Sequence, residues 1–170
     1  MTSILPRWFR KFFRDEQHWD DLAFFREVTL FHGMNSWQLG RIKQAMQKRT
    51  YRAGEVLFKE GQIGQAVFII KSARVELTRT SGEGARVLGA LGPGHIFGEM
   101  ALLEQMPRTA TATVAEDGVI YLFYTATLDT LIRHHPAVGV KLMKNMAIFL
   151  SALLRKTNKE LDQVARQGQG

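Results

Sequence analysis

The sequence contains no cysteine, so disulfide bonds and thiolate metal sites are excluded. It also has no uninterrupted apolar run approaching the roughly 18 residues that a membrane-spanning helix needs. We therefore expect no membrane span, and the missing cysteines fit a reducing, cytoplasmic setting. A length of 170 residues suits one domain with a substantial hydrophobic core.

Acidic residues are scarce relative to basic ones, with 16 Asp and Glu against 23 Lys and Arg, which gives a net charge of +7. Such a surplus fits a nucleic-acid partner and fits equally a small anionic ligand on a basic surface, because charge alone does not separate the two. The glycines do not form a dinucleotide-binding fingerprint, since Gly92, Gly94 and Gly98 have the wrong spacing and no βαβ unit surrounds them.

The first 24 residues predict an amphipathic, basic helix followed by a hinge. Apolar side chains recur at helical spacing and basic side chains fall between them. The apolar positions are Leu5, Trp8, Phe9, Phe12 and Phe13, and the basic ones are Arg7, Arg10, Lys11 and Arg14. Such a helix can dock on a protein partner, on its own domain or on an anionic membrane surface, and these alternatives stay open.

Residues 25–49 predict the entry to the domain, which consists of a short helix, a turn and a longer helix. Asn35 or Ser36 is a suitable N-cap for the second helix. Its inward stripe is expected to contain Trp37, Ile42, Ala45 and Met46.

From residue 50 to residue 124 the pattern alternates, with glycine and proline turns at close spacing. This pattern predicts an antiparallel sandwich or barrel of short strands. The expected strands are Thr50–Arg52, Val56–Phe58, Ala66–Lys71, Arg74–Thr80, Ala85–Leu91, Ile96–Phe97, Thr111–Ala115 and Val119–Tyr124.

Residues 125–166 predict two C-terminal helices. Thr125 or Thr127 can cap the first, which runs to about His135, where Pro136 breaks it. The second runs to about Val164 and is apolar on two faces. It therefore needs two surfaces to bury against, one being the β-roll and the other the N-terminal helix or a second subunit.

The stretch from Phe97 to Ala112 reads FGEMALLEQMPRTATA and has the chemistry of a binding site. Gly98 permits close approach of the backbone to a ligand. Backbone N–H groups at the start of a short helical turn can point at a phosphate, and Arg108 can add a charge-assisted bond to it. Glu99, which only accepts hydrogen bonds when ionised, requires a hydroxyl donor such as a sugar.

This stretch closely resembles the phosphate-binding cassette of the cyclic nucleotide-binding domain family, the sensor domain of catabolite activators, cyclic-nucleotide-gated channels and protein kinase A regulatory subunits. We call residues 97–112 the cassette. The segments AGEVLFKEG, VFIIKSARVEL and LGPGHIFGE resemble the same family's β-roll. Three turn positions depart from its pattern, namely Gln65, Ala73 and His95. The resemblance implies an α+β fold, here a stand-alone bacterial-type domain, with an antiparallel, jelly-roll-like β-roll of about eight strands, N-terminal helices and a C-terminal helical lid.

The resemblance also implies roles for individual residues. Glu99 is expected to hold the ribose 2′-hydroxyl, while Arg108 and the N–H groups near Gly98 and Ala110 hold the cyclic phosphate. The expected ligand-binding residues are Gly98, Glu99, Met100, Ala101, Arg108, Thr109 and Ala110. The expected pocket wall comprises Val87, Leu88, Phe97 and Leu102, and the residues expected over the base by position are Leu154, Arg155 and Asn158.

These expectations favour a regulatory sensor that binds cAMP or cGMP, rearranges its helices and signals to a protein partner through a terminal helix. Thr109 permits cGMP without excluding cAMP. We expect no enzyme activity, no metal, no cofactor and no nucleic-acid partner, since no activated nucleophile accompanies the cassette and too little chain follows the last helix for a helix-turn-helix. A homodimer and peripheral membrane contact stay open. The alternative is a degenerate domain that acts without ligand as a protein-interaction or membrane-surface adaptor.

Overall fold

The computed structural model describes residues 21–82, 84–104 and 106–167. The predicted amphipathic helix, up to residue 20, and the last three residues lie outside the described residues, so those predictions stay as they are. Residues 21–27 are helical and form α1. The other helices are α2 (Ser36–Ala45), α3 (Thr125–His134) and α4 (Pro136–Gln167), with 3₁₀ turns at Thr29–Phe31 and Glu99–Leu102.

In the part of the chain that the structure describes, eight strands form two four-stranded antiparallel sheets, one in the order β1-β8-β3-β6 and the other in the order β2-β7-β4-β5. The α+β fold with an eight-stranded roll and helices at both ends is therefore confirmed. The strands are β1 (Gln47–Tyr51), β2 (Val56–Phe58), β3 (Ala66–Ile70), β4 (Arg74–Ser81), β5 (Gly84–Leu91), β6 (Ile96–Phe97), β7 (Thr111–Glu116) and β8 (Gly118–Tyr124).

Strand β3 lies between two hydrophobic cores, and all five of its residues are buried. Because successive side chains of a strand point to opposite faces, Val67 and Ile69 join the helices while Phe68 and Ile70 fill the roll. The first, which we call the outer core, packs α1, α2, α3 and α4 on the outside of one sheet. The second, which we call the inner core, lies between the two sheets. The cassette connects β6 to β7 and so lies at the end of the inner core.

The second entry helix is shorter than expected. It begins with a capping box in which Asn35 and Gln38 bond reciprocally, which confirms one of the two expected caps. It ends at Ala45, because Gln47 to Tyr51 pair with β8 and a strand ladder replaces the last predicted turn. Trp37 does not join the inward stripe but is 55 % exposed, since the buried positions Leu39 and Ile42 lie on the opposite side of the helix.

The C-terminal helices begin and end near the expected residues, but the expected threonine cap is absent. Tyr124 is the N-cap of α3 without a side-chain bond, and Thr125 is the first helical residue. By length and composition α4 could cross a membrane, because its part Pro136–Gln163 contains a window of mean hydropathy 1.5. The helix also buries Val138, Leu142 and Met146 in the outer core, as a helix of a folded domain does.

Candidate functional site

A cavity of about 320 Å³ opens where the cassette meets β2 and β4. Its lining includes Glu99 and Arg108, the residues of the cassette that are predicted to bind a sugar hydroxyl and a phosphate. Seven predicted residues line it, namely Phe97, Gly98, Glu99, Met100, Arg108, Thr109 and Ala110. The other lining residues are Phe58, Leu77, Glu104, Met106 and Pro107.

The Arg108 guanidinium is held in place by the protein. Its Nη1 donates to the carbonyl of Gly98 at 3.0 Å, and its Nη2 donates to the carbonyl of Ala66 at 2.6 Å. Its carbon Cζ lies 4.2 Å from the ring centroid of Phe58 and 5.6 Å from that of Phe68. A guanidinium carries five N–H donors, and three of them make no hydrogen bond to the described residues, while these two bonds fix the direction of the group.

Gly98 makes this position of Arg108 possible. Its backbone is left-handed, with φ 70° and ψ 21°, a conformation that glycine adopts at little cost. A Cβ atom at Gly98 would overlap Nη1 of Arg108. The glycine that sequence reasoning placed beside a ligand therefore also provides the space for the arginine.

Arg108 and Glu99 place charges of opposite sign on the cavity. Burial lowers the pKa of the Arg108 guanidinium, and the nearby Glu99 carboxylate opposes that change. An arginine stays protonated in proteins, so a half-buried positive charge faces the cavity at neutral pH. Within the described residues no group of three His, Asp or Glu side chains could hold a metal ion.

The second half of the cassette is attached to the loop between β2 and β3. The N–H of Arg108 donates to Gln62 at 2.8 Å, and its carbonyl accepts from Gly61 at 2.9 Å. Pro107 forms an isolated bridge with Ile63. These bonds fix the backbone on both sides of Arg108, so the guanidinium is positioned by main chain as well as by its own hydrogen bonds.

Four of the remaining predicted site residues do not line this cavity, namely Val87, Leu88, Arg155 and Asn158. Val87 and Leu88 on β5 are 55 % and 46 % exposed and do not line it, and a register shift interrupts the pairing of β4 with β5 at this point. Arg155 bonds Ser151 on the exposed part of α4, and Asn158 is also exposed. Ala101 and Leu102 lie in the 3₁₀ turn, with side chains outside the described set. Their roles at a ligand stay predictions.

Leu154 lines a second, apolar groove of about 300 Å³ between α4 and the cassette. Leu150 and Leu153 line it with Leu154, and Glu99 and Met100 form the opposite side. Glu99 and Met100 line both spaces, so α4 approaches the cavity from the side of the 3₁₀ turn.

Sequence reasoning missed the aromatic support of the arginine. Phe58 belongs to a correctly predicted strand, but nothing in the chain indicates that β2 passes beneath Arg108. The pairing of β2 with β7 produces this contact, and such pairings join residues far apart in sequence. The cavity as built can hold an anion that also bears a hydroxyl group, with an apolar part beside Leu77 and Phe97.

Comparison with known proteins identifies a family for this chain. The family model described as "Cyclic nucleotide-binding domain" matches residues 48–135. A cyclic AMP receptor protein of Thermus thermophilus is 37 % identical over 78 % of this chain and 60 % of its own length. A cGMP-dependent protein kinase of Caenorhabditis briggsae is 33 % identical over 67 % of this chain and 15 % of its own.

A crystal structure of the Thermus thermophilus catabolite activator protein has a TM-score of 0.71 and 35 % identity, covering 81 % of this chain and 63 % of that one. The chain thus spans less than two thirds of each of these relatives. The family match covers β1 to α3 with the whole cassette, where the cavity lies. The chain belongs to the cyclic nucleotide-binding domain family.

Proposed function

We propose that this chain is a regulatory sensor that binds a cyclic nucleotide, cAMP or cGMP, in the cassette cavity. The observation that carries the proposal is the placement of Arg108, with three donors that make no hydrogen bond to the described residues, and Glu99 on one cavity. A cyclic nucleotide offers a phosphate anion to Arg108 and a ribose hydroxyl to Glu99. The apolar side chains beside them suit a planar base.

The choice between cAMP and cGMP depends on Thr109 and on the surroundings of the base. Thr109 lines the cavity next to Arg108, so its hydroxyl can reach either the phosphate or a base placed over the sugar. One matching relative is named for cyclic AMP and another for cGMP. We therefore test both ligands.

The response to ligand is proposed to be a population shift of α4. Its inner part is fixed, because the Asn145 amide donates to the carbonyls of Leu30 and His32 at 2.9 and 3.0 Å. Its outer part is exposed from Ser151 to Lys159. A ligand that fills the space beside Glu99 and Met100 favours the position of α4 that covers it, and that preference is what moves the helix. A cytoplasmic protein partner would detect the change at a terminal helix.

The test is isothermal titration calorimetry of the whole chain with cAMP and cGMP in parallel, with linear AMP as the control. We expect micromolar or tighter binding of a cyclic form and no heat with AMP. Silence of all three nucleotides, with an unshifted melting temperature, would contradict the proposal. It would favour the adaptor alternative, and the search would move to protein partners.

A further inference from the structure

Arg79 on β4 does not line the cavity but contacts the cassette at Thr109, which does. Alternate residues of a strand share a face, so Arg79 follows Val75 and Leu77 in one row. Val75 is buried in the roll and Leu77 lines the cavity. The row therefore leads from the inner core past the cavity to an arginine.

This arginine bonds the backbone of the cassette. Its Nε donates to the carbonyl of Thr109 at 2.9 Å. In a planar trans peptide the C=O of one residue and the N–H of the next point in opposite directions. The bond to Arg79 therefore directs the N–H of Ala110 away from the Arg79 side chain.

The N–H of Ala110 has no hydrogen bond in the described part of the chain, although the residue is only 7 % exposed and lines the cavity. Backbone N–H groups of largely buried residues are nearly always paired in proteins, and one in a residue that lines a cavity can be paired by a molecule in that cavity. The group is thus a donor held ready for an acceptor that arrives with a ligand.

We propose that Arg79 is a positioning residue, which holds the peptide between Thr109 and Ala110 so that the Ala110 N–H donates to the ligand phosphate. The inference rests on the proposed function, since it names a further residue of that site. Arg79 acts through the cassette backbone, so its effect depends on its hydrogen bond to Thr109 rather than on its charge.

Arg86 provides a matched control. It pairs with Arg79 across β4 and β5, carries the same charge and is also exposed. None of the described hydrogen bonds joins Arg86 to the cassette. We compare Arg79→Met and Arg86→Met in the full chain, measuring affinity for cAMP and cGMP by calorimetry and the Ala110 amide by ¹⁵N NMR with and without ligand.

We expect Arg79→Met to weaken binding of the cyclic nucleotide about fivefold, the effect of one misdirected hydrogen bond. Arg86→Met should stay within about twofold of the parent, since surface charges contribute little. The ligand-induced shift of the Ala110 amide should shrink in Arg79→Met alone, with the melting temperature unchanged. Equal affinities of the two variants would overturn the inference, because charge rather than positioning would then explain any loss.

The spectra without ligand separate this inference from the proposed function. If the parent binds neither nucleotide, the proposed function fails. The ligand-free spectra still decide the role of Arg79. We expect the Thr109 and Ala110 amides to move or broaden in Arg79→Met but not in Arg86→Met. Identical ligand-free spectra for parent and Arg79→Met would show that Arg79 does not fix this peptide.

Discussion

Gly98 combines two requirements at one residue, a left-handed backbone and room for a guanidinium. We expect Gly98→Ala to displace Arg108 from its bonds to Gly98 and Ala66, and therefore to weaken nucleotide binding, at most by the about two to three decades in Kd expected for loss of the arginine. The strain of the backbone should also lower stability by about 1 kcal/mol. Calorimetry and urea unfolding measure the two effects separately.

Gly94 is the control for this substitution. Its φ of 81° matches that of Gly98 in sign, but a Cβ there meets no atom within 4 Å. Gly94→Ala should therefore lose a similar stability and keep its ligand. If both variants bound equally, the overlap with Arg108 would be irrelevant to the site.

Arg108 supplies positive charge to a cavity that the acidic Glu99 and Glu104 also line. Arg108→Ala should weaken binding by about two to three decades in Kd, as expected when one partner of a desolvated ion pair is removed. Glu99→Ala should cost less, because it removes a hydroxyl contact and not a charge pair. Arg108→Lys keeps the charge but concentrates it on one nitrogen and lacks the planar fork whose two nitrogens bond Gly98 and Ala66, so we expect an intermediate affinity. Parent-like binding by Arg108→Ala in calorimetry would disprove the assignment of the cassette.

At the scale of residues, the sequence predicts those parts of the site whose residues are neighbours in the chain. Seven cassette residues follow one another closely in the chain, and the structure places them on one cavity. Phe58 lines the same cavity from β2, and Arg79 on β4 bonds the carbonyl of Thr109, so the part of both residues depends on strand pairing that local pattern does not reveal. Leu88 shows the reverse case, since it has the apolar character of a wall residue but lies exposed at an irregular pair of strands.

At the scale of elements, Asp21 links the start of the described chain to three other parts of the fold through three lysines. Its carboxylate is buried and lies 2.8 Å from Nζ of Lys71 and 3.2 Å from Nζ of both Lys43 and Lys48. Burial by itself raises the pKa of this carboxyl, but hydrogen bonds from Lys71, Tyr121, Lys48 and Lys43 outweigh burial and hold the pKa well below its usual range. The cluster connects α1 with α2, β1 and the end of β3.

This cluster predicts how stability changes with pH. A carboxyl whose pKa is lower in the folded state stabilises the fold above its unfolded pKa of about 3.9 and loses that contribution as pH falls towards the folded value. Asp21→Asn should cost about 2–3 kcal/mol at neutral pH, somewhat less than a fully buried pair because the lysines reach water. The deficit should shrink below about pH 4, because the unfolded parent then binds a proton at Asp21 while the folded parent, whose pKa is lowered, does so only at still lower pH.

Urea unfolding of the parent and Asp21→Asn between neutral and acid pH measures the difference. Asp129→Asn, on the exposed side of α3, controls for the loss of one negative charge. A deficit that stays constant with pH would show that Asp21 acts as a neutral hydrogen-bonding group. A deficit equal to that of Asp129→Asn would show that the cluster adds nothing.

The ends of elements were less predictable than their existence. Strand β2 and strand β6 have the expected limits, because turn residues flank short apolar runs. The end of α2 was misplaced, since Lys48 and Arg49 suit a helix surface and only the partner strand β8 makes them part of a sheet. Long-range pairing overrode local preference there.

At the scale of the whole molecule, α4 carries a row of exposed apolar side chains. Val140, Leu154 and Leu161 are 67 %, 61 % and 62 % exposed, and with the exposed Ala147 they recur every seven residues. Three positions further along the chain from Val140, Ala147 and Leu154 stand Met143, Leu150 and Thr157. A repeat of this spacing is typical of a helix that pairs in a coiled coil. We therefore expect α4 to pair with α4 of a second copy.

This pairing would share residues with the ligand site. Leu150, Leu153 and Leu154 line the groove whose other side is Glu99 and Met100, so a ligand and a second copy would act on the same part of α4. Two binding events that favour the same position of a helix strengthen each other, and the coupling is reciprocal. Cyclic nucleotide should then tighten the dimer to the extent that the dimer tightens the nucleotide.

Leu161→Glu tests this arrangement, because it lies on the repeat but outside the groove. We expect it to weaken dimerisation by about two decades, since each copy loses an apolar contact and gains a charge at the seam. Gln163→Glu, exposed and off the repeat, adds the same charge and should leave the dimer intact. Sedimentation equilibrium with and without cyclic nucleotide measures both effects. A parent that stays monomeric in both conditions would mean that the apolar stripe of α4 pairs with something other than its own copy.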